Sequence, residues 1–136
     1  MSILLLALSG IRSSFSVVGD QQSTSVINSD MTRLIADFEE RAVDISDCPN
    51  LGSVCLPNLG SIECLFGFSA TLRIRDNMNL ELIDLSSLRQ TPASSSADID
   101  FGNLPALQTV YISSSLGDLY RNLIGCNDAQ IECIER

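Results

Sequence analysis

Apolar residues recur along the chain in one spacing, three times over. Leu72, Ile74, Leu80, Ile83, Leu85 and Leu88, inside LRIRDNMNLELIDLSSL, form the best preserved set. Val43, Ile45, Leu51, Val54, Leu56 and Leu59 repeat those offsets 29 residues earlier (72 − 43 = 29). A third set runs Ile99, Phe101, Leu104, Leu107, Val110 and Ile112, starting 27 residues later (99 − 72 = 27), and then fades. Counting back 28 residues from Val43 (43 − 15 = 28) lands on Phe15, Val17 and Asp20, with Val26 and Met31 at later equivalent offsets, which marks a degenerate first copy.

The shared template reads h-x-h-x-x-[Asn/Cys/Leu]-x-x-Leu-x-x-h-x-h, with Cys48, Asn77 or Leu104 in sixth place. An h-x-h alternation puts successive side chains on opposite faces of a strand, so Leu72 and Ile74 point inward and Arg73 and Arg75 outward. Ile83-Asp84-Leu85 predicts a second strand in the same copy. A period in the twenties, in units too small to bury their own apolar side, predicts a solenoid whose core is built by stacking. The predicted fold is therefore a repeat solenoid of about four turns, mostly β with short helical turns. It forms one domain over residues 17–136, with copies starting near 15, 43, 72 and 99 and a poorly defined C-terminal turn from about 121.

Three stretches fall outside the template. Ser13 to Ser29 is serine-rich and taken alone reads as loop. Asp30 to Arg41 carries Met31, Leu34, Ile35 and Phe38 at helical spacing, which predicts a short helix or turn with Asp30 as its N-cap. Thr91 to Asp98 (TPASSSAD) predicts a polar loop.

The first residues, MSILLLALSGIRSSFS, hold an apolar run from Ile3 to Leu8 followed by small residues. Residues 1–16 resemble a secretory signal peptide without a basic leading region; an N-terminal strand or a truncated gene model are the competing readings. No later segment reaches the roughly 20 apolar residues that span a bilayer. The final IECIER is too short and too polar for a GPI signal.

The template resembles a leucine-rich repeat and, more closely, the receptor L-domain family. LRIRDNMNLELIDLSSL and FGNLPALQTVYIS are also similar to fungal cell-wall and surface proteins, often GPI-anchored, that carry such repeats. That resemblance implies a right-handed coil in a secreted, cell-surface or cell-wall protein with recognition or structural duties. Its expected partner is a protein or a cell-wall polysaccharide. The chain departs from those relatives in having few repeats, no anchor signal and no Asn-x-Ser/Thr sequon among its eight asparagines.

Charge narrows the chemistry. The net charge is -9, from 17 acidic residues against 8 arginines, with no lysine and no histidine. Such a field repels nucleic acid and anionic lipid. Without histidine, the commonest general base and zinc ligand are missing, so catalysis would need carboxylates or a thiol. Asp76, Asp84, Asp98 and Asp100 fall at different template offsets, which argues against a clustered acid pair of the kind used by β-helix carbohydrate-active enzymes. We expect no enzyme activity, no cofactor and no metal.

Five cysteines remain. Cys48 and Cys55 are seven apart, as are Cys126 and Cys133, with Cys64 left over. The spacing lacks the Cys-x-x-Cys pairs of a zinc site. In a secreted chain all five are disulfide candidates, locally Cys48 with Cys55 or Cys64 and Cys126 with Cys133, and the connectivity stays open. Cys48 and Asn77 occupy the place where leucine-rich folds bury Asn or Cys, which implies structural turn residues that satisfy backbone groups between coils. Arg73, Arg75, Asp84 and Tyr111 face outward and form the candidate contact patch, arginine and tyrosine being favoured at binding hot spots.

The reading is a non-enzymatic extracellular or cell-surface recognition or structural module. Two alternatives stand beside it, a truncated fragment of a larger surface receptor or cell-wall protein and a β-helix carbohydrate-active enzyme.

Overall fold

Val43, Leu72 and Ile99 stand side by side on three neighbouring parallel strands. The 29- and 27-residue offsets of the sequence pattern are thus the offsets between paired strands. The computed structural model describes residues 2–5, 11–12, 15–36, 43–64, 72–89, 99–116, 121–122 and 124–136. Over these the chain is mostly β and every strand pairing is parallel.

In chain order the strands are β1 (Ser2–Leu5), β2 (Ile11–Arg12), β3 (Phe15–Val18), β4 (Ser23–Ile27), β5 (Arg33–Ala36), β6 (Val43–Ser46) and β7 (Ser53–Cys55). They continue with β8 (Ser61–Cys64), β9 (Leu72–Arg75), β10 (Leu82–Leu85), β11 (Ile99–Gly102), β12 (Thr109–Ile112) and β13 (Glu132–Glu135). A six-stranded sheet runs β1-β4-β7-β10-β12-β13, a four-stranded sheet β11-β9-β6-β3 and a three-stranded sheet β2-β5-β8. From β1 to β10 the chain visits the sheets in rotation, so each strand pairs with its counterpart one copy away.

Two tight turns per copy make the rotation. Leu51, Leu80 and Leu107 donate their N–H to the carbonyls of Cys48, Asn77 and Leu104, between the four-stranded and six-stranded sheets. Leu59, Leu88 and Leu116 do the same to Leu56, Leu85 and Ser113, beyond the six-stranded sheet. Each turn ends on a leucine that is buried. The invariant spacing of the template is the turn plus its anchor, and each such side chain stabilises the fold by roughly 1.5–3 kcal/mol through burial. Where the first copy lacks this pattern, side chains close the turns instead: Asp20 Oδ1 accepts from Gln22 N and Ser23 N, and Asn28 Oδ1 from Asp30 N and Met31 N.

Each exit from the four-stranded sheet passes through a left-handed residue. These are Gly19 (φ 70°), Asp47 (55°), Asp76 (55°) and Asn103 (53°). Glycine pays no steric cost there, and Asp and Asn are the side chains that tolerate it best. Within the turns, Asn50, Asn58 and Asn79 donate their Nδ2 to the carbonyls of Gln21, Ser29 and Pro49 at 2.6, 2.6 and 2.7 Å, tying these turns to the copy before.

The core is the template. All six apolar residues of the copies at 43 and 72 are fully buried, as are Val26, Met31, Leu34 and Val110. The third copy does not fade at Ile112, since Leu116 is also buried and closes a sixth turn.

The helix expected from Asp30 to Arg41 is not formed where the chain is described. Arg33–Ala36 is strand β5, paired Arg33↔Ser61 and Leu34↔Ile62. Met31 and Leu34 are both buried, but Met31 ends a turn and Leu34 is the inward residue of the following strand. Leu59 and Ile62 repeat that arrangement one copy later. A turn anchor followed by an inward strand residue reproduces helical spacing without a helix, and the parallel pairing to β8 decides between them. Among the described residues helix is confined to residues 121, 122 and 124. Phe38 and the polar segment Thr91 to Asp98 lie outside the described residues.

The chain closes on β13, which continues the six-stranded sheet with Val110↔Cys133 and Tyr111↔Ile134. Cys126 and Cys133 form a disulfide, and with Ile131 they pack against the core, of which the buried Ile124 is part.

Candidate functional site

The outward residues fall on two separate sheets. On the four-stranded sheet, Asp44, Arg73 and Asp100 share one row and Ser46, Arg75 and Gly102 the next. Arg75 Nη1 donates to Asp100 Oδ1 at 3.0 Å, with both side chains over a third exposed. The pair is a surface one, worth about 0–1 kcal/mol. Its guanidinium lies flat on the strand beside it, since a Cβ on Gly102 would come within 2.8 Å of Arg75 Cζ. Arg73 lies between Asp44 and Asp100, with its Nε buried and without a hydrogen-bond partner.

On the six-stranded sheet one row runs Ile27, Cys55, Asp84, Tyr111 and Ile134 in register. Asp84, in the outward row, is nevertheless only 8% exposed. It is sheltered because its own turn wraps it: Ser86 N donates to Oδ1 at 3.0 Å, and Arg136 Nη1 stands 3.8 Å from Oδ2. Arg136 also stacks on Tyr111, its Cζ 3.6 Å from the ring centroid, while its main-chain N–H donates to the Ile112 carbonyl at 3.0 Å. The four candidates of the contact patch therefore divide into two pairs, Arg73 and Arg75 on one sheet and Asp84 and Tyr111 on another.

Cysteine chemistry is split in the same way. Cys126 and Cys133 are joined, whereas Cys48 and Cys55 carry free thiols. The local pairing of Cys48 with Cys55 is thus not made. Cys48 is buried in its turn, its thiol directed to the carbonyls of Ser46 at 3.3 Å and Val17 at 3.7 Å, while Cys55 sits on the outward row of β7. Burial pushes the Cys55 thiol up, the Asp84 carboxylate adds to the rise, and Arg136 opposes it. Such a group stays protonated near neutrality and is a poor nucleophile. The Cys64 side chain lies outside what is described.

Asn77 is fully buried and bonds across the interface between copies. Its Nδ2 donates to the Ile45 carbonyl and its Oδ1 accepts from Cys48 N, both at 3.0 Å. Cys48 reaches Val17 from the equivalent place, one copy earlier. The acids stay apart: Asp76 lies at a left-handed corner, Asp84 and Asp100 on different sheets, and Asp98 outside the described residues. Among the described residues no group of three or more His, Cys, Asp or Glu could hold a metal ion. A cavity of about 210 Å³ near the C-terminal end is lined by apolar residues such as Phe101, Leu104 and Ile131 together with Asn103 and Asp128.

No family model, no curated protein and no solved structure matches the chain. Among the described residues no helix is long and apolar enough to cross a membrane.

Two structural features escaped the sequence pattern. Arg136 carried no signal, because its contacts with Asp84 and Tyr111 are set by β13 pairing with β12. The left-handed corners carried one: Gly19, Asp47, Asp76 and Asn103 recur at the copy spacing.

Proposed function

We propose that the protein is a solenoid of receptor L-domain-like or leucine-rich type, acting outside the cell or at its surface as a non-enzymatic recognition or structural module. One observation carries this reading. Outward side chains of successive copies stand in register on two sheets, while the apolar residues of the copies at 43 and 72 are buried beneath them. Such stacking gives quasi-one-dimensional proteins broad side-chain ladders, and these are the surfaces that repeat proteins use for partners. A wall polysaccharide or a surface protein fits a ladder of alternating Asp44, Arg73 and Asp100 beside Arg75. The coil is right-handed on this reading, as parallel strand crossovers are.

The disulfide and the cysteine-bearing last strand support an oxidising compartment. The leader-like start bears on the same point. Ser2–Leu5 pairs with β4, so removal of residues 1–16 would leave β4 as the edge of its sheet.

The test has two arms. Protein made by its native secretory route is mapped by mass spectrometry for its mature N-terminus and thiols. A linked Cys126–Cys133 peptide from secreted material is expected, and an intact Met1 with five reduced cysteines overturns the extracellular reading. Fluorescently labelled protein is then titrated onto intact cells of its source. Saturable adsorption that weakens in the Arg73→Ala/Arg75→Ala variant is expected, and adsorption that never saturates overturns recognition.

A further inference from the structure

Tyr111 and Asp84 face each other on adjacent parallel strands, about 4.8 Å apart as sheet spacing dictates. An aromatic face beside a sheltered carboxylate is the chemistry of a cation site, because the ring quadrupole and the anion attract the same group. Here the chain fills it from within. Arg136 lies 3.6 Å above the Tyr111 centroid and points its Nη1 at Asp84 Oδ2.

The fit is incomplete. The Arg136 to Asp84 distance of 3.8 Å exceeds hydrogen-bond length, and the Arg136 side chain is 53% exposed. The cause is visible in the backbone: Arg136 N is fixed to the Ile112 carbonyl on β12, so the guanidinium must reach back across a strand to Asp84 on β10. An arginine arriving from outside carries no such tether and can sit flat on the ring with its edge hydrogen-bonded to Oδ2.

We infer that the Tyr111–Asp84 pair is a guanidinium-binding site, plugged in this structure by Arg136, and that its outside ligand is an arginine-bearing segment of a protein partner. This names a partner class for the recognition module proposed above and rests on that reading. A net charge of -9 draws a cationic segment toward the surface. Arginine is favoured over lysine because its planar guanidinium both stacks on the ring and offers paired donors to the carboxylate. Cys55, next in the row, leaves a small thiol beside Asp84 where a larger residue would crowd an incoming side chain.

The probes are tetra-arginine and tetra-lysine peptides, titrated by fluorescence anisotropy against the full chain. Arg136→Ala is expected to bind tetra-arginine about tenfold more tightly than the parent, as removal of an internal competitor requires. It should prefer tetra-arginine to tetra-lysine, and Arg136→Lys should fall between parent and Arg136→Ala. The gain should vanish in Arg136→Ala/Asp84→Asn and in Arg136→Ala/Tyr111→Leu, with thermal melting confirming that each variant is folded. Equal affinity for parent and Arg136→Ala overturns the inference. So does binding that survives Asp84→Asn, which would be diffuse attraction to an acidic surface. A null result here with retained saturable cell adsorption removes this site alone, whereas loss of saturable adsorption removes the recognition reading.

Discussion

Asn77 Oδ1 accepts the main-chain N–H of Cys48 at 3.0 Å, so a side chain of one copy completes the backbone of the copy before it. With its Nδ2 on the Ile45 carbonyl, the amide also adds a side-chain donor to the strand that precedes that turn.

Asn77→Ala leaves the Cys48 N–H unpaired inside the protein and takes a side-chain donor from the Ile45 carbonyl. A loss of about 1–3 kcal/mol is expected, the cost of one orphaned buried group. Urea unfolding followed by circular dichroism measures it. A loss below about 1 kcal/mol would mean that the amide is not the clamp between copies.

Asp47 sits at φ 55° with an exposed side chain, which isolates backbone strain from packing. Asp47→Val should destabilise by about 1–2 kcal/mol, while Asp47→Gly should stay within about 1 kcal/mol of the parent. Equal midpoints for the two variants in the same unfolding assay would contradict a left-handed corner.

The free thiols of Cys48 and Cys55 give stability a pH dependence of known sign. Burial pushes both Cys48 and Cys55 up, so the folded chain holds these protons more tightly than the unfolded chain does. Their contribution is fully present below the ordinary thiol value of about 8.5 and is lost as pH rises from there through the folded values. Unfolding midpoints should therefore fall in that alkaline window, and less so in Cys48→Ser/Cys55→Ser. Asp84→Asn should also speed alkylation of Cys55 near neutrality, because it removes the carboxylate that holds the thiol up.

Cys126→Ser/Cys133→Ser opens a seven-residue link and is expected to cost about 2–3 kcal/mol through the freed unfolded chain. The loss should concentrate at the end of the molecule. Hydrogen exchange is expected to rise in β13 and around Ile124 and to stay unchanged at Ile45 and Ile74. Uniform loss of protection would show that the disulfide supports the whole chain rather than its last strand.

Much of this architecture was legible because its units repeat. Leu51, Leu80 and Leu107 announce themselves through burial at a constant offset, and burial leaves a periodic trace in sequence. The strands of the three-stranded sheet were harder to see. In β5 and β8 the bulk of the apolar signal is one inward residue, Leu34 or Ile62, three places after a turn anchor, and that spacing mimics a helix. The candidate surface was legible only by alternation. Arg73, Arg75, Asp84 and Tyr111 could be placed outward, yet part of the shelter around Asp84 comes from Arg136, 52 residues away (136 − 84 = 52), and contacts of that range leave no local pattern.

The central claim, that one repeat register sets which residues are core, is tested most directly by thermal unfolding of Leu80→Asp beside Met78→Asp. The two sites lie two residues apart in one turn region, but Leu80 is fully buried and Met78 is 50% exposed. The register predicts that Leu80→Asp abolishes the cooperative transition, because an unpaired carboxylate cannot be held in that core, while Met78→Asp melts like the parent. A native-like transition for Leu80→Asp, or unfolding by Met78→Asp, would contradict it.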